Sequence, residues 1–252
     1  MKITEDGVLF RSYRDGAKIL LTPESSIAAQ KEIGADIMIS FDELPPYHIS
    51  PEKLKTSFER THRWEQRSLD AHRSNPNNQA LYAVIHGGID PNLRKKSCQI
   101  LTALPFDGYS VGGSVGKNRT EMVEMLAYTM PYLPEDKPNH LLGIGDLESL
   151  DASIPLGIDT FDSSHPTKAA RHGLLFTKNG NVRVVKSGNA HIYRPIEDGC
   201  TCFTCKHYTL AYLCHLFKAN ELTALTLATI HNIHFMVQLM ADYRTRILND
   251  EV

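Results

Sequence analysis

Three of the chain's five cysteines fall within six residues, Cys200-Thr-Cys202-Phe-Thr-Cys205. Thiolates packed that densely repel one another unless a cation neutralises them, and zinc suits such a sulfur set. Disulfides are a poor alternative, because Cys-x-Cys closes a small strained ring and the N-terminus carries no secretory signal. A reducing compartment, the cytoplasm, is the expectation. Three sulfurs leave a tetrahedral site one ligand short. Cys214, His207, His215, His231 and His234 could each supply it, and spacing leaves the choice open. With four protein ligands no coordination position remains for water or substrate, so Zn2+ would hold structure and catalysis would lie elsewhere.

The second chemically suggestive pair is Asp42 and Asp162, each of which closes a short β-rich run (Ala35 to Phe41, and Thr160-Phe161). Paired acids suit chemistry at a sugar carbon, where one carboxylate bonds the carbon and another group manages the leaving base. Strand-to-helix loops also use aspartate simply as a helix cap, so the pair alone does not decide.

What must position these groups is a repeating order of strands and helices. Val8 to Phe10 and Lys18 to Leu21 read as small strands, and Thr22-Pro23 opens a helix that Gly34 stops. Ala35 to Phe41 is nearly continuous in apolar side chains, as strands covered on both faces are. Helices over Lys53 to Ala71, Pro91 to Leu104, Glu121 to Met130 and Leu147 to Pro155 separate it from runs at Leu81 to Ile85, Gly108 to Val111, Leu141 to Ile144 and Thr160-Phe161. Strands that each end on a polar or glycine residue describe a parallel α/β sheet with its functional groups at one end. A (β/α)8 barrel fits this order best. A doubly wound sheet is the competitor, but no Gly-x-Gly-x-x-Gly turn follows the first strand. Leu175 to Val185, with Asn179-Gly180 at its centre, reads as a hairpin. The last helix carries His231, and its positions Leu222, Leu225, Ile230, Ile233 and Met236 are expected to pack inward.

The 252 residues are 42% apolar, which suits one globular domain, 1–252. His231, Asn232, His234 and Gln238 interrupt the apolar run from Leu222 to Met240, so no membrane contact is expected. A net charge of −2 gives no general attraction to nucleic acid, so any RNA contact must come from a local basic surface.

The stretch from Gly157 to Gly173, containing Phe161-Asp162 and Pro166-Thr167-Lys168 to Arg171, resembles the signature of tRNA-guanine transglycosylases, with the cysteine cluster and His231-Asn232 downstream. Ser40-Phe41-Asp42-Glu43, Gly108 to Gly113 and Leu142 to Gly145 carry the likeness through the chain. The resemblance implies a (β/α)8 barrel with a zinc-binding subdomain, here over 196–235, and exchange of the wobble guanine of tRNA for queuine or a related 7-deazaguanine-type base. It further implies that Asp162 attacks the ribose C1′ and Asp42 binds the guanine edge. His86, Gly113 and Leu142 would complete the base pocket, Lys168 and Arg171 would contact tRNA, and Cys200, Cys202, Cys205 and His231 would hold zinc. His86 stands where the family has glutamine, Lys117 where it has glutamate, Leu142 where methionine is common, and Lys168 where arginine is usual. Family members also carry an upstream Asp-Ser-Gly-Gly-Phe-Gln-like segment with a general acid/base. The chain therefore reads as the C-terminal two thirds of a transglycosylase, with a barrel incomplete at its start and little turnover expected of it alone. An accessory, non-catalytic subunit is the rival reading. A homodimer, or a heterodimer with a family member, is expected through Tyr208, Tyr212 and His215 beside the cysteines.

Overall fold

The computed structural model describes residues 1–251. The chain forms two compact units, one from residues 1–142 and 147–162, the other from 143–146 together with the chain from Ser163 onward.

The first unit opens with an antiparallel meander of β1 (Lys2–Ile3), β2 (Val8–Arg11) and β3 (Lys18–Leu21). Helix α1 (Pro23–Ile33) follows, started by a capping box between Thr22 and Ser25 and ended by Gly34 in the left-handed conformation. Then come β4 (Ile37–Ile39), α2 (Pro51–Arg73), β5 (Ala80–Ile85), α3 (Pro91–Thr102), β6 (Gly108–Val111), α4 (Arg119–Thr129), β7 (Asn139–Leu141), α5 (Leu147–Ser153) and β8 (Thr160–Phe161). The five strands β4 to β8 are parallel and pair in chain order. A doubly wound sheet reverses strand order at a switch point; this one does not, so it is an arc of a (β/α)8 barrel.

Register fixes the faces of that arc, because strand side chains alternate and paired residues share a side. Tyr82 pairs with Gly108, Val84 with Ser110, Ser110 with His140, and His140 with Thr160, which places all of them on one face. Leu81, Ala83, Ile85, Tyr109, Val111 and Leu141 alternate with them and are fully buried.

Two expectations about the strands need correction. The run Ala35 to Phe41 was expected to be covered on both faces. It yields only a three-residue edge strand whose Ile37 is 49% exposed, since β4 has a neighbour on one side alone. The expected strand at Leu141 to Ile144 starts two residues earlier, at Asn139. Its pairing with β6 is set where the Tyr109 N–H meets the Pro138 carbonyl, and Gly143 (φ 74°) turns the chain away before Ile144.

The second unit holds α6 (His165–Arg171), a two-stranded pair of β9 (Leu174–Leu175) with β10 (Val182–Arg183), α7 (Phe203–His207), α8 (Leu210–Lys218) and α9 (Leu222–Leu248). The hairpin is where the Asn-Gly signal puts it. The core gathers Leu175, Val184, Ile196, Leu213, Leu216 and Leu227 around Cys202 and Cys205. The buried residues of α9 are Ala224, Leu227, Ala228, His231, Asn232 and Tyr243; of the expected set Leu225 and Met236 are half-buried, whereas Leu222 is 78%, Ile233 41% and Ile230 36% exposed. Small residues face inward because α9 packs closely on α6, α7 and α8, and the larger aliphatics are left outside. By length and composition alone α9 could cross a bilayer. However, Asn232 accepts from the Phe176 N–H and donates to the Pro166 and Leu174 carbonyls, which anchors the helix inside this unit.

Candidate active site and metal centre

The metal centre is the better-defined of the two sites. A cysteine N-cap starts α7, whose first turn brings the Cys205 N–H to 3.2 Å from Cys202 Sγ. The imidazole of His231, fully buried on α9, points Nδ1 at Cys200, Cys202 and Cys205 at 3.8, 3.6 and 3.4 Å. A tetrahedral zinc with Zn–S near 2.3 Å and Zn–N near 2.05 Å separates N and S ligand atoms by about 3.6 Å, so the four groups already stand at metal-site spacing. The other ring nitrogen, Nε2, lies 2.8 Å from the Phe176 carbonyl. A carbonyl can only accept, so Nε2 carries the proton and Nδ1 offers its lone pair.

Thiol chemistry points the same way. Hydrogen bonding from Cys205 holds Cys202 as a thiolate, down to about 3. Hydrogen bonding to Cys202, together with burial, pushes Cys205 up, and burial pushes Cys200 up. Without a cation one thiol can ionise at the others' expense; a divalent ion lets all three do so. The same four residues are the one candidate metal cluster among the described residues. His234 instead sits 3.2 Å from the Thr201 hydroxyl. Cys214 is buried as an ordinary core thiol.

The candidate active site lies past the carboxyl ends of β4 to β8. Past Ser40 the chain peels away from β5, and one stripe of α2 replaces the lost sheet bonds. Phe41 N–H donates to Ser68 Oγ (3.1 Å), Glu43 N–H to Thr61 Oγ1 (3.1 Å), and Val84 N–H to Glu65 Oε1 (3.0 Å). Positions 61, 65 and 68 share a helix face, and all three side chains are fully buried. Phe41 stacks on Trp64 of the same helix, with ring centroids 5.0 Å apart. Asp42 is thus held on a stretch fixed at both flanks. Burial, with some help from Glu43, raises its carboxyl to about 6. Burial also raises Glu65 well above the carboxylate range, with the charge of Asp42 adding to it, so Glu65 stays neutral. Its Oε2 and the Ser40 hydroxyl are buried without hydrogen-bond partners.

His86, also fully buried, sets Nε2 2.6 Å from the Glu43 carbonyl, which ties the Asp42 loop to the end of β5. Burial lowers its pKa to about 4, so the ring is neutral, and its Nδ1 is buried without a partner. Gly113 lies over the ring edge: a Cβ there would stand 3.5 Å from His86 Cδ2, on a backbone of φ 68° that disfavours any side chain. Gly112 is required by space, since a Cβ would fall 2.5 Å from Val84 Cγ1 and 2.9 Å from Leu142 Cδ1. Leu142 and Val84 therefore close over the glycine as the floor of the site.

Sequence reasoning passed over two groups. Arg94, fully buried on α3, donates to the carbonyls of Ile85, Gly88 and Ser114 at 2.7, 2.7 and 3.1 Å, clamping the loops after β5 and β6. Burial lowers it to about 10, still a cation at neutral pH. A buried arginine has no sequence signature, because its partners are all backbone. His140 contacts Asp162 Oδ1 at 3.2 Å; placing β7 two residues late hid it. Asp162 itself follows β8 and is exposed, whereas Lys168 and Arg171 are exposed on α6.

A sequence profile described as queuine tRNA-ribosyltransferase matches residues 1–252. The queuine tRNA-ribosyltransferase of Protochlamydia amoebophila is 66% identical over 250 residues, 99% of this chain and 65% of the relative. Those of Chlamydia felis and Chlamydia trachomatis serovar D are 50% and 49% identical, each over all of this chain and 68% of the relative. The chain thus spans about two thirds of the length of these relatives. With a match from its first residue to its last, the chain belongs to the queuine tRNA-ribosyltransferase family.

Proposed function

We propose that the protein exchanges the wobble guanine of tRNA for a queuine-type, 7-deazaguanine base, through a covalent bond between Asp162 and the ribose C1′. The observation that carries this reading is that Asp42 and Asp162 both follow carboxyl ends of strands in one parallel sheet, the end where barrel enzymes build their sites. Asp162, exposed, is the nucleophile. Asp42, with a carboxyl that titrates near 6, binds the polar edge of the base. His86, whose Nε2–H holds the Asp42 loop, shapes the base pocket with Gly113 and Leu142. Lys168 and Arg171 bind tRNA near the wobble position. Zinc on Cys200, Cys202, Cys205 and His231 holds the second unit folded and takes no part in the chemistry. Tyr208 and Tyr212, stacked with centroids 5.4 Å apart, and His215 contribute to a dimer contact.

The test is incorporation of labelled guanine into tRNA by zinc-loaded protein from the complete natural reading frame, with Asp162→Asn alongside. Loss of exchange and of any denaturation-resistant RNA adduct in Asp162→Asn is the expected result. Exchange at the wild-type rate by that variant would remove the nucleophile assignment.

A further inference from the structure

His140 is the group in the first unit seen to touch the Asp162 side chain, and nothing in the resemblance assigns it a role. One ring nitrogen, Nε2, lies 3.2 Å from Asp162 Oδ1; the other, Nδ1, lies 2.9 Å from the Thr160 hydroxyl. A carboxylate only accepts, so Nε2 carries a proton. The Thr160 hydroxyl, by contrast, can donate to a bare Nδ1 or accept from a protonated one. The imidazole is therefore hydrogen-bonded on both sides, which fixes the ring where Nε2–H meets the carboxylate. Its side chain is 15% exposed, against 60% for Asp162, so water reaches the pair chiefly at the carboxylate. Asp162 meets His140 from just past β8, whose Thr160 pairs with it, Ser110 stands beside it on β6, and Tyr82 lies two strands away on the same face.

We propose that His140 is a positioning residue for Asp162, holding the carboxylate by Nε2–H and stabilising it as the leaving group in the second half of base exchange. This rests on the reading of Asp162 as nucleophile. In the first half an Asp162 oxygen bonds C1′ while the C1′–N9 bond breaks, and its electron pair leaves on guanine, which takes a proton from water. In the second half the incoming base gives its N9 proton to water and its nitrogen pair bonds C1′. The C1′–O bond then breaks and its pair returns to Asp162 as a carboxylate. Charge builds on the Asp162 oxygens in that last event, and a hydrogen bond from the imidazole N–H favours it. In the first half the same bond stabilises the attacking carboxylate, so it brings no corresponding gain there.

The experiment follows the two halves separately in zinc-loaded protein from the complete natural reading frame. Adduct formation is timed with an anticodon stem-loop on denaturing gels, and adduct decay is timed after adding guanine, for His140→Phe, His140→Gln and Asp162→Asn. The expectation for His140→Phe is decay slowed about tenfold, the effect of losing one hydrogen bond to a charge, with formation changed far less. His140→Gln, which keeps a neutral N–H donor, should recover most of the decay rate. Equal slowing of both halves, or decay in His140→Gln as slow as in His140→Phe, would overturn the role of His140. If the phenylalanine variant melts below assay temperature, His140→Leu takes its place in the same two measurements. An Asp162→Asn protein that still forms adduct would sink the underlying reading, whereas a dead Asp162→Asn beside unaltered His140 variants would overturn this inference alone.

Discussion

The two units solve the same problem, holding a few polar groups in fixed positions, by opposite means. In the first, a parallel ladder and a long helix do it with hydrogen bonds: Thr61, Glu65 and Ser68 reach from α2 to backbone N–H groups that the sheet leaves unpaired. In the second, the strands are two residues long, and four side chains from two distant parts of the chain meet at one point. The difference teaches that the sheet unit spreads its stability over many bonds, whereas the cysteine unit concentrates it in one.

Metal removal is the sharpest way to break that comparison. Structural zinc contributes on the order of 10 kcal/mol, as much as the typical stability of a whole domain. Chelation, or Cys205→Ser, should abolish hydrogen-exchange protection in α7 to α9 while amides of β5 and β6 stay protected. Uniform loss of protection through both units would show that the sheet depends on the metal as well.

Glu65 tests the distributed side. Glu65→Ala leaves the Val84 N–H buried and unpaired and opens a cavity, a loss of about 2–4 kcal/mol. Glu65→Gln keeps an acceptor for that N–H without a titrating group, so its stability should equal or exceed wild type by urea unfolding at pH 7. A glutamine variant as unstable as the alanine variant would mean that Glu65 is charged in the fold.

These two tests also mark how far the sequence could be read. The cysteine cluster was legible because thiolate spacing is a local property, and the strand-helix alternation because apolar runs are. The fourth ligand was not legible from spacing, since five residues qualified until the fold turned His231 Nδ1 toward the sulfurs. The inward stripe of α9 was misread because hydrophobic size suggests Leu222, Ile230 and Ile233, whereas close helix packing selects Ala224 and Ala228. The α2 stripe was invisible, because Thr61, Glu65 and Ser68 look like surface residues until the backbone they serve is known.

Asp42 gives a smaller, pH-dependent effect. Its folded value, about 6, lies above the ordinary aspartate value of 3.8, so the folded state binds the proton more tightly than the unfolded one. Its contribution is full below the unfolded value and is lost as pH rises through about 6. Asp42→Asn, free of the desolvated charge, should match wild type near pH 4 and gain up to about 2–3 kcal/mol by pH 8. A constant difference across that range would mean the carboxyl is solvated.

The smallest effect on the folded chain is expected on the outer face of α9. Ile233 is 41% exposed and Val237 58%, so charging Ile233 removes only part of its burial. Ile233→Glu should lower monomer stability by about 1–2 kcal/mol. Any self-association through this apolar strip together with Tyr212 of α8, itself 43% exposed, would nevertheless have to bury the new charge, and burying an unpaired charge is strongly unfavourable. Sedimentation should therefore show a dimer for wild type and a monomer for Ile233→Glu, with unchanged zinc content in both. A dimer that survives the substitution would move the interface off α9, while loss of zinc with loss of dimer would show that this face supports the metal centre after all.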